Sequence, residues 1–307
     1  MKTGRFLLFF TAAASSLFAE SSAGTSGFQF LKMQVSARAA GMGGAFVAVP
    51  ADLHALYYNP AEIAAVENRT AALSYQDDLL DLSSGFIGYV HPRLGIGSAG
   101  GYILYRNYGA FKRTDASGQE LGEFSANSFV LGGAYALSPV ENLRAGATIK
   151  YIHSAIDAYT ASAAAVDIAA SFRIPKHDLT LGVGIFNLGT QLTAFLTEKY
   201  PLPLQVRAGF SKRLAHLPLL YAVNFYKYND SRWLFALGGE FTLTPSLFLR
   251  FGYDRYGAEM AVDSSKDTLA GAAVGLGFIW QKYAFDYSFT SLGALGSLNR
   301  FTFSGHF

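Results

Sequence analysis

Much of the chain alternates between two kinds of residue, and this pattern constrains the fold more than any other feature. The clearest examples are 143–151 (LRAGATIKY), 247–254 (LFLRFGYD) and 282–290 (KYAFDYSFT). In each stretch one residue phase is apolar or aromatic, and the other is mostly small, polar or charged. A period of two residues is typical of β-strands, whose side chains point alternately to the two faces of a sheet. The pattern predicts strands with one apolar face and one face suited to water or tight packing.

The aromatic content favours a membrane barrel over a soluble β-sandwich. The chain has 26 Phe, 18 Tyr and 32 Gly but only 15% charged residues, which is unusual for a soluble domain. A sandwich would favour aliphatic residues on its buried face and more Lys, Glu, Thr and Ser on its exposed face. Aromatic residues at strand ends, as in 224–230 (NFYKYND), instead fit the aromatic girdles of outer-membrane barrels.

The predicted fold class is therefore all-β, a closed antiparallel transmembrane β-barrel of about fourteen strands, an even number as single-chain bacterial barrels have. The strands are expected at 69–78, 82–91, 95–112, 120–137, 141–156, 158–174, 178–190, 202–214, 217–229, 231–244, 246–256, 267–280, 282–290 and 299–307. Stretches rich in Gly, Pro, Asn, Asp and Ser separate them, as in 114–119 (TDASGQ) and 138–142 (SPVEN).

The first residues predict export. Lys2 and Arg5 precede the apolar run 6–19 (FLLFFTAAASSLFA), and small residues follow, as in a secretory signal peptide cleaved after Ala19 or Ala23. A membrane helix is the alternative, but the run is shorter than the ~20 residues that a bilayer requires. Without Lys2 and Arg5, the 24 basic residues fall to the same number as the 22 acidic ones, which argues against nucleic acid as a partner. The expected location is the cell outer membrane.

An irregular apolar segment precedes the strands. Its centre, 38–64, reads RAAGMGGAFVAVPADLHALYYNPAEIA. A fourteen-strand barrel leaves a lumen that strand side chains alone do not fill, so we expect this segment to fold inward as a hatch. The predicted organisation is a signal peptide at 1–19, a hatch at 20–68 and the barrel at 69–307. The candidate hatch residues are Arg38, Gly41, Gly43, Gly44, Phe46, Asp52, Tyr57, Tyr58, Asn59 and Pro60.

The last segment, 300–307 (RFTFSGHF), alternates aromatic and polar residues and stops on Phe. Phe301, Phe303 and Phe307 resemble the sorting signal that the outer-membrane barrel assembly machinery reads. An ordinary edge strand is the alternative, but a bare aromatic edge invites aggregation unless it closes onto the first strand.

The sequence predicts no catalytic, cofactor-binding or metal-ligating residues, although several partial motifs occur. Gly95, Gly97 and Gly100 match G-x-G-x-x-G, but their flanks alternate as strands, whereas a dinucleotide site needs a strand followed by a helix. The acidic cluster Asp77, Asp78 and Asp81 suits a solvated loop better than a calcium site. The six His residues lack metal-site spacing, and no G-x-S-x-G motif marks a hydrolase.

Several charged residues fall in the inward phase of the predicted strands. Lumen-facing charges commonly pair with one another, so we expect a structural ion-pair network lining the barrel. Its predicted members are Arg207, Glu240, Arg250, Asp254 and Asp286.

The opening segment resembles the N-terminal segment of the PorV/PorQ family, relatives of the FadL-type outer-membrane barrels. The residues that match the family pattern are Arg38, Ala39, Met42, Gly43, Gly44, Ala45, Phe46, Asp52, Tyr58, Asn59, Pro60 and Ala61. Further stretches look like the PorQ branch in order and spacing, namely 105–127, 149–169, 186–192, 201–219 and 248–255.

The resemblance implies a non-enzymatic membrane anchor of the type IX protein secretion and surface-attachment machinery. Its implied partners are a PorV-like barrel, a sortase-like peptidase and a further surface subunit, with outer-membrane lipids around the barrel. The alternative function is FadL-like transport of small hydrophobic molecules, suggested by the apolar hatch and the Gly-rich strands. A third hypothesis, a barrel enzyme of phospholipase type, rests only on the presence of Ser, His and Asp in the chain.

Overall fold

Fourteen antiparallel strands form one closed barrel in the computed structural model, which describes residues 24–78, 82–262 and 264–307. This confirms the predicted fold class. The strands are β1 Thr70–Asp77, β2 Ser83–Leu94, β3 Gly97–Thr114, β4 Glu120–Val140, β5 Leu143–Ile156, β6 Tyr159–Ile174, β7 Leu179–Thr193, β8 Gln205–Arg213, β9 Leu219–Tyr228, β10 Leu234–Thr244, β11 Leu247–Asp254, β12 Ala272–Trp280, β13 Tyr283–Ser291 and β14 Ser297–His306. Each pairs with its neighbours along the chain, and β1 pairs with β14 from Thr70 opposite His306 to Asp77 opposite Asn299.

Several strand boundaries differ from the prediction by a few residues, and three of them have clear local reasons. β8 begins at Gln205 instead of residue 202, because Pro201 and Pro203 have no N–H to donate to a ladder. β12 begins at Ala272 instead of residue 267, because the 3₁₀ helix Ser265–Leu269 occupies the preceding positions. β11 ends at Asp254, whose side chain accepts a hydrogen bond from Tyr256 N and caps the short helix α3, Arg255–Ala258.

The two faces of the wall have the polarity opposite to that of a soluble protein. In β11 the outward Leu249 and Phe251 are 42% and 48% exposed, whereas the inward Arg250 is only 3% exposed. The same holds in β14, where Phe301 and Phe303 are exposed and Arg300 and Thr302 are buried. Apolar side chains therefore cover the outside of the barrel, which is the pattern of a barrel surrounded by lipid. The inward side chains are polar in these strands, whereas Phe86 of β2 and Ile152 of β5 are inward and belong to an apolar cluster with the hatch.

The two ends of the barrel also differ. At one end, here called the short-turn end, brief turns join β2 to β3, β4 to β5 and each following pair. At the other end, the long-loop end, the connections 194–204 and 255–271 are longer. There β2 pairs with β3 only up to Asn107, and β5 pairs with β4 only from Ala126. Beyond those residues β3 and β4 pair with each other, and they form a two-stranded ribbon that projects from the barrel.

Residues 24–69 are called the hatch, and all but their exposed ends lie inside the barrel. They contain two short α-helices, α1 Ala37–Gly41 and α2 Ala55–Tyr58, and the 3₁₀ helices Gln29–Lys32 and Pro60–Ala65. The hatch runs from the long-loop end, where Lys32 pairs with Asp230 of the β9–β10 turn, to the short-turn end. None of the helices in the described part of the chain is long and apolar enough to span a bilayer. The predicted signal peptide lies outside the described residues.

The hatch backbone touches the wall where wall strands carry glycine. A Cβ atom added at Gly252 of β11 would lie 2.1 Å from Gly43 N, and one at Gly238 of β10 would lie 2.4 Å from Met42 O. On the opposite wall, a Cβ atom at Gly146 of β5 would lie 2.6 Å from Ala61 N. Distances this short leave no room for any side chain, so glycine at these strand positions is what allows the hatch to fit.

Replacing Gly252 by Ala is expected to destabilise the protein by about 1–3 kcal/mol, because the added methyl group clashes with the hatch backbone. The matched control is Gly133→Ala in β4, where an added Cβ atom meets nothing within 4 Å. That change is expected to be neutral or stabilising by roughly 0.5–1 kcal/mol, because alanine loses less conformational entropy on folding than glycine. Urea unfolding of the purified barrels measures both values, and equal effects of the two substitutions would contradict the close contact.

Candidate functional site

An ion-pair network joins the hatch to the wall near the middle of the lumen. Arg38 of α1 places Nη2 2.7 Å from Glu240 Oε1 and Nη1 2.9 Å from Asp52 Oδ2. Arg250 Nε lies 2.7 Å from Glu240 Oε2, and Arg250 Nη1 lies 2.6 Å from Asp286 Oδ1. Five charged side chains from the hatch, β10, β11 and β13 thus form one continuous chain. Because buried charges are stable only when paired, this network fixes the position of α1 in the lumen.

The predicted network and the observed one overlap in part. Glu240, Arg250 and Asp286 are joined as predicted, but the hatch supplies the other members, Arg38 and Asp52. The prediction was wrong for Arg207 and Asp254, since neither forms an ion pair with another described residue.

Hydrogen bonds and aromatic rings take the place of ion pairs at these two residues. Arg207 donates a hydrogen bond to Gln205 Oε1 at 2.9 Å, and its guanidinium lies 5.4 Å from the ring centroid of Phe186 and 5.5 Å from that of Tyr226. Asp254 accepts a hydrogen bond from the hydroxyl of Tyr226. Strand phase predicts that a side chain points inward, but it does not predict which groups the hatch brings beside it.

Asp52, His54 and Ser74 form a second connection between hatch and wall. His54 Nδ1 lies 2.9 Å from Asp52 Oδ1, and His54 Nε2 lies 3.2 Å from Ser74 Oγ in β1. Ser74 Oγ is 2.8 Å from Thr302 Oγ1 of β14, which accepts a hydrogen bond from Ala37 N at 3.0 Å. Burial alone raises the pKa of Asp52, but its contacts with His54 and Arg38 outweigh burial and hold that pKa well below its usual range.

The order Asp, His, Ser matches the hydrogen bonds of a hydrolase triad, which bears on the enzyme hypothesis. The surroundings of Ser74 do not suit catalysis, however. Ser74 and His54 are both buried, and the void beside Ser74 has a volume of about 10 Å³, enough for roughly one water molecule. The sequence analysis did not predict this arrangement, because Asp52 and His54 lie in the hatch whereas Ser74 lies in β1, and no local motif connects them. Its evident effect is to attach the hatch to the seam where β1 meets β14.

The aromatic and amide candidates of the hatch hold its own segments together. Tyr57 donates a hydrogen bond to Leu31 O at 2.6 Å, and Tyr58 donates one to Gln34 Oε1 at 2.8 Å. The ring of Phe46 packs edge-on against that of Tyr58, with 5.2 Å between centroids.

The Asn-Pro pair starts the last helix of the hatch. Asn59 Nδ2 donates to Val47 O at 2.5 Å, while Asn59 Oδ1 accepts from Ala61 N at 3.0 Å. Asn59 therefore caps the 3₁₀ helix, and Pro60 occupies its first position, where no N–H is needed.

The three glycine candidates allow close backbone approach. Gly41 lies against Gly275 of β12, since a Cβ atom added at Gly41 would be 3.2 Å from Gly275 Cα. Gly43 and Gly44 have φ of +62° and +76°, values that side chains strongly disfavour. The hatch turns at these two residues after α1.

The C-terminal candidates lie on the outside of the barrel. Phe301 and Phe303 face outward from β14, and Phe303 is directly opposite Leu73 of β1. Phe307 is exposed at the short-turn end, where its N–H donates to Arg69 O at 2.9 Å. The aromatic edge is thus paired with β1. Recognition of these residues by the outer-membrane barrel assembly machinery stays a prediction.

The partial motifs have ordinary structural roles. Gly95 lies in the β2–β3 turn, and Gly97 and Gly100 lie in β3, so the glycines precede a strand and not a helix. Asp78 Oδ2 pairs with Arg106 Nη1 at 3.1 Å, while Asp81 lies outside the described residues. Within 24–78, 82–262 and 264–307, no group of three His, Asp or Glu side chains is arranged to hold a metal ion.

A cavity of about 430 Å³ lies above the hatch at the long-loop end. Polar residues such as Gln34 and Asp254 line part of it, but most of its surface is apolar, with apolar side chains from the hatch, from the loops and from β14. They include Phe30, Met33, Leu82, Met260, Leu292 and Leu298. The sequence analysis did not predict this cavity, because its lining residues are scattered over the whole chain and no local pattern connects them.

Arg300 gives the cavity one polar end. It is buried, and its Nε donates to Gln76 Oε1 at 2.5 Å while its Nη1 donates to Thr290 Oγ1 at 3.1 Å. No described carboxylate lies within ion-pair distance of it. Arg106 lines the same cavity but is paired with Asp78. A guanidinium with no described carboxylate within ion-pair distance therefore lines a cavity whose surface is mostly apolar, although Asp254 and Lys32 line it as well.

A latch at the long-loop end holds the hatch beside this cavity. Lys32 Nζ lies 2.7 Å from Asp230 Oδ1 and 4.8 Å from the ring centroid of Tyr228. Gln29 Nε2 donates to Asp230 Oδ2 at 3.0 Å. Burial by itself raises the pKa of Asp230, but the hydrogen bonds from Lys32 and Gln29 outweigh it, so the pKa lies below its ordinary value. The latch is therefore charged at neutral pH and weakens only as the pH falls through that lowered pKa.

Solved structures with a similar backbone are outer-membrane barrels. The Pseudomonas putida toluene transporter TodX aligns with a TM-score of 0.59 over 89% of this chain and 96% of its own, at 12% sequence identity. The CymD monoaromatic hydrocarbon channel gives 0.61 over 89% and 97%, at 12% identity. A Pseudomonas aeruginosa FadL homologue gives 0.58 over 88% and 97%, at 11% identity. The chain has the FadL-type barrel fold.

Sequence-level comparison adds no family. Neither the protein-family models nor the curated proteins contain a match to this chain. The FadL-type half of the resemblance drawn from the sequence therefore agrees with the fold, whereas the PorV/PorQ half rests on the motifs alone.

Replacing Arg38 by Leu is expected to lower the free energy of unfolding by about 3–5 kcal/mol, because Glu240 then stays buried with one partner fewer. The matched control is Lys112→Leu, which removes an exposed ion pair with Glu120 and is expected to cost less than about 1 kcal/mol. Urea unfolding measures both changes. Similar small losses in the two variants would show that the lumen network does not hold the hatch.

Proposed function

We propose that this chain is an outer-membrane channel for small hydrophobic molecules. The observation that carries the proposal is the cavity of about 430 Å³ between the hatch and the long loops. Its volume falls within the range of roughly 300–1,000 Å³ that is usual for small-molecule sites, and such sites are mostly apolar with a few polar groups. In outer-membrane barrels short turns face the periplasm and longer loops face outward. The cavity then opens toward the outside of the cell.

The fold neighbours support the choice of hydrophobic molecules. TodX is described as a toluene transporter and CymD as a monoaromatic hydrocarbon channel. In this chain the apolar side chains of Phe30, Met33 and Leu298 offer a comparable environment, and Arg300 provides a donor for a polar atom of the ligand. A molecule that leaves water for this cavity gains free energy in proportion to the apolar area it buries.

Passage beyond the cavity requires the hatch to move. Met42, Phe46 and Leu56 are almost completely buried below the cavity, so the hatch occupies the lumen there. The hatch is held by contacts that can break one at a time, namely the Lys32 latch and the Arg38 network. We infer that a ligand in the cavity competes with the upper contact first, because Lys32 itself lines the cavity.

Filling the cavity is the direct test. Leu298→Trp and Met260→Trp place a large ring in it, and both are expected to reduce uptake of radiolabelled toluene and of a labelled fatty acid to the level of cells that lack the protein. The matched control is Leu249→Trp, which adds the same ring on the outside of the wall, where Leu249 is exposed. Normal uptake by both cavity variants, at equal protein level in the membrane, would rule out this route.

A second candidate is the anchoring role implied by the PorQ-like motifs. The feature that favours it is the β3–β4 ribbon, which projects beyond the wall and leaves both of its edges unpaired along most of its length. Unpaired strand edges are ready sites for adding a strand from another protein. The partners proposed for the ribbon are the surface components of type IX secretion.

The anchoring role is tested by shortening the ribbon. Replacing 111–123 by a tight turn is expected to leave the barrel folded but to stop surface attachment of type IX cargo, because the partner loses its edge. Cargo in the surface fraction and in the medium is measured by immunoblot. Attachment at the normal level, with the shortened chain present in the membrane, would exclude the ribbon as the docking element.

A further inference from the structure

Although the chain as a whole is near neutral, the two ends of the barrel carry opposite net charge. At the short-turn end seven basic side chains outnumber three acidic ones. The basic residues are Arg69, Arg93, Arg173, Lys176, Lys212, Arg213 and Lys282, and the acidic residues are Glu67, Glu141 and Asp178. At the long-loop end the described acidic residues outnumber the basic ones. The acids there are Asp77, Asp78, Asp115, Glu120, Glu123, Asp157, Glu198, Asp230, Asp254, Glu259 and Asp267, and the bases with described side chains are Lys32, Arg106, Lys112, Arg113, Lys199, Lys227, Arg232 and Arg255.

The excess of positive charge is concentrated in one sector of the short-turn end. Arg173 and Lys176 belong to the β6–β7 connection, and Lys212 and Arg213 end β8, which pairs with β7. Asp178, in the same β6–β7 connection, is the acidic residue that lies beside these four basic residues. It lies 3.6 Å from Arg173 and 4.0 Å from Arg213, and its carbonyl oxygen accepts a hydrogen bond from Arg213 N at 3.1 Å. One carboxylate is thus shared by two guanidinium groups, and three positive charges remain unbalanced.

The position of this sector on the wall indicates what it meets. Lys212 has the outward phase of β8, the same phase as Phe210, and it lies directly opposite Tyr221 of β9. The rings of Phe210 and Tyr221 pack edge-on, with 5.9 Å between centroids. Phe172 is exposed on the outside of the wall, one residue before Arg173. Outward aromatic rings at a barrel end mark the level of the lipid headgroups.

We propose that Arg173, Lys176, Lys212 and Arg213 form a binding site for the phosphate group of anionic phospholipids. The acyl chains of such a lipid lie along the outward Phe172, Phe210 and Tyr221, and its phosphate lies among the four cations. Lys and Arg side chains commonly place their charged ends at this level while their stems cover apolar surface. Lys212 continues the outward apolar face of β8, which favours a lipid over an acidic protein that would approach from below the rim. Arg173 and Arg213 have the inward phase of β6 and β8, but they lie at the strand ends, where about half of each side chain is exposed. The inference rests on the membrane location in the proposed function and not on transport.

The test compares lipid selection by the full chain and by two charge-matched variants. The site variant combines Lys176→Gln, Lys212→Gln and Arg213→Gln. The control combines Lys112→Gln, Lys199→Gln and Arg232→Gln, which removes equal charge from the long-loop end. Each protein is reconstituted in nanodiscs of mixed phosphatidylglycerol and phosphatidylethanolamine, and the lipids retained on release are counted by native mass spectrometry.

The wild type and the control are expected to retain phosphatidylglycerol in preference to phosphatidylethanolamine. In the site variant this preference is expected to fall about fivefold for each cation removed, since each Lys or Arg beside an anionic surface contributes ~1 kcal/mol. About 1 M salt should abolish the preference in all three proteins, because charges are then screened beyond roughly 3 Å. Thermal unfolding shows that the variants are folded.

Equal retention of phosphatidylglycerol by the site variant and the control would overturn the proposal. So would displacement of the lipid by millimolar inorganic phosphate, which would show a site for the free ion. The proposal would also be overturned if the wild type retained the two lipids equally and instead bound an acidic periplasmic protein. Uptake of hydrophobic molecules is not part of the readout, so failure of the transport proposal leaves this test unaffected.

Discussion

The fold depends on one constraint, that no backbone N–H or C=O can be left without a partner where lipid replaces water. A sheet meets this condition only if its two edges pair with each other, and here β1 and β14 pair along the whole of β1. Closure with fourteen strands creates a lumen too wide for wall side chains to fill. The lumen in turn requires a segment to occupy it, and the hatch that precedes β1 in the chain is that segment. Its arrangement follows from the geometry of the wall.

Polar contacts and an apolar cluster together fix the hatch inside the barrel. Glu240 is buried and pairs with the buried Arg250 and the partly buried Arg38, and Ser74 and Thr302 connect the hatch to the closing seam. Glycines in the wall allow backbone-to-backbone contact, as between Gly252 and Gly43. The lumen therefore combines charged pairs and close backbone packing with an apolar cluster that joins Phe46 of the hatch to Phe86 and Ile152 of the wall, while the outward apolar residues face lipid.

Strand number and strand phase were predictable because the period of two is a local property of the sequence. The start of β8 was misplaced because Pro201 and Pro203 lie in an alternating stretch but lack the N–H that a ladder needs. The irregular apolar segment 38–64 was predicted to fold into the lumen because it precedes a barrel too wide for wall side chains to fill. Its partners were not predictable, since Arg38 and Glu240 are 202 residues apart and only closure brings them together. The cavity has the same origin, with lining residues from 29 to 300.

The pairing of β1 with β14 also has a consequence for the order of assembly. These strands are the first and last of the sheet, so their contact has the largest sequence separation in the wall, and such contacts form slowly. The hatch is joined directly to β1 and enclosed by the same wall. A sheet that closed before the hatch had settled would have to admit it through one end, past the long loops or the short turns. The most economical route is for the open sheet to curl around a hatch already seated on its glycines, so that ring closure is the final step and traps the segment inside.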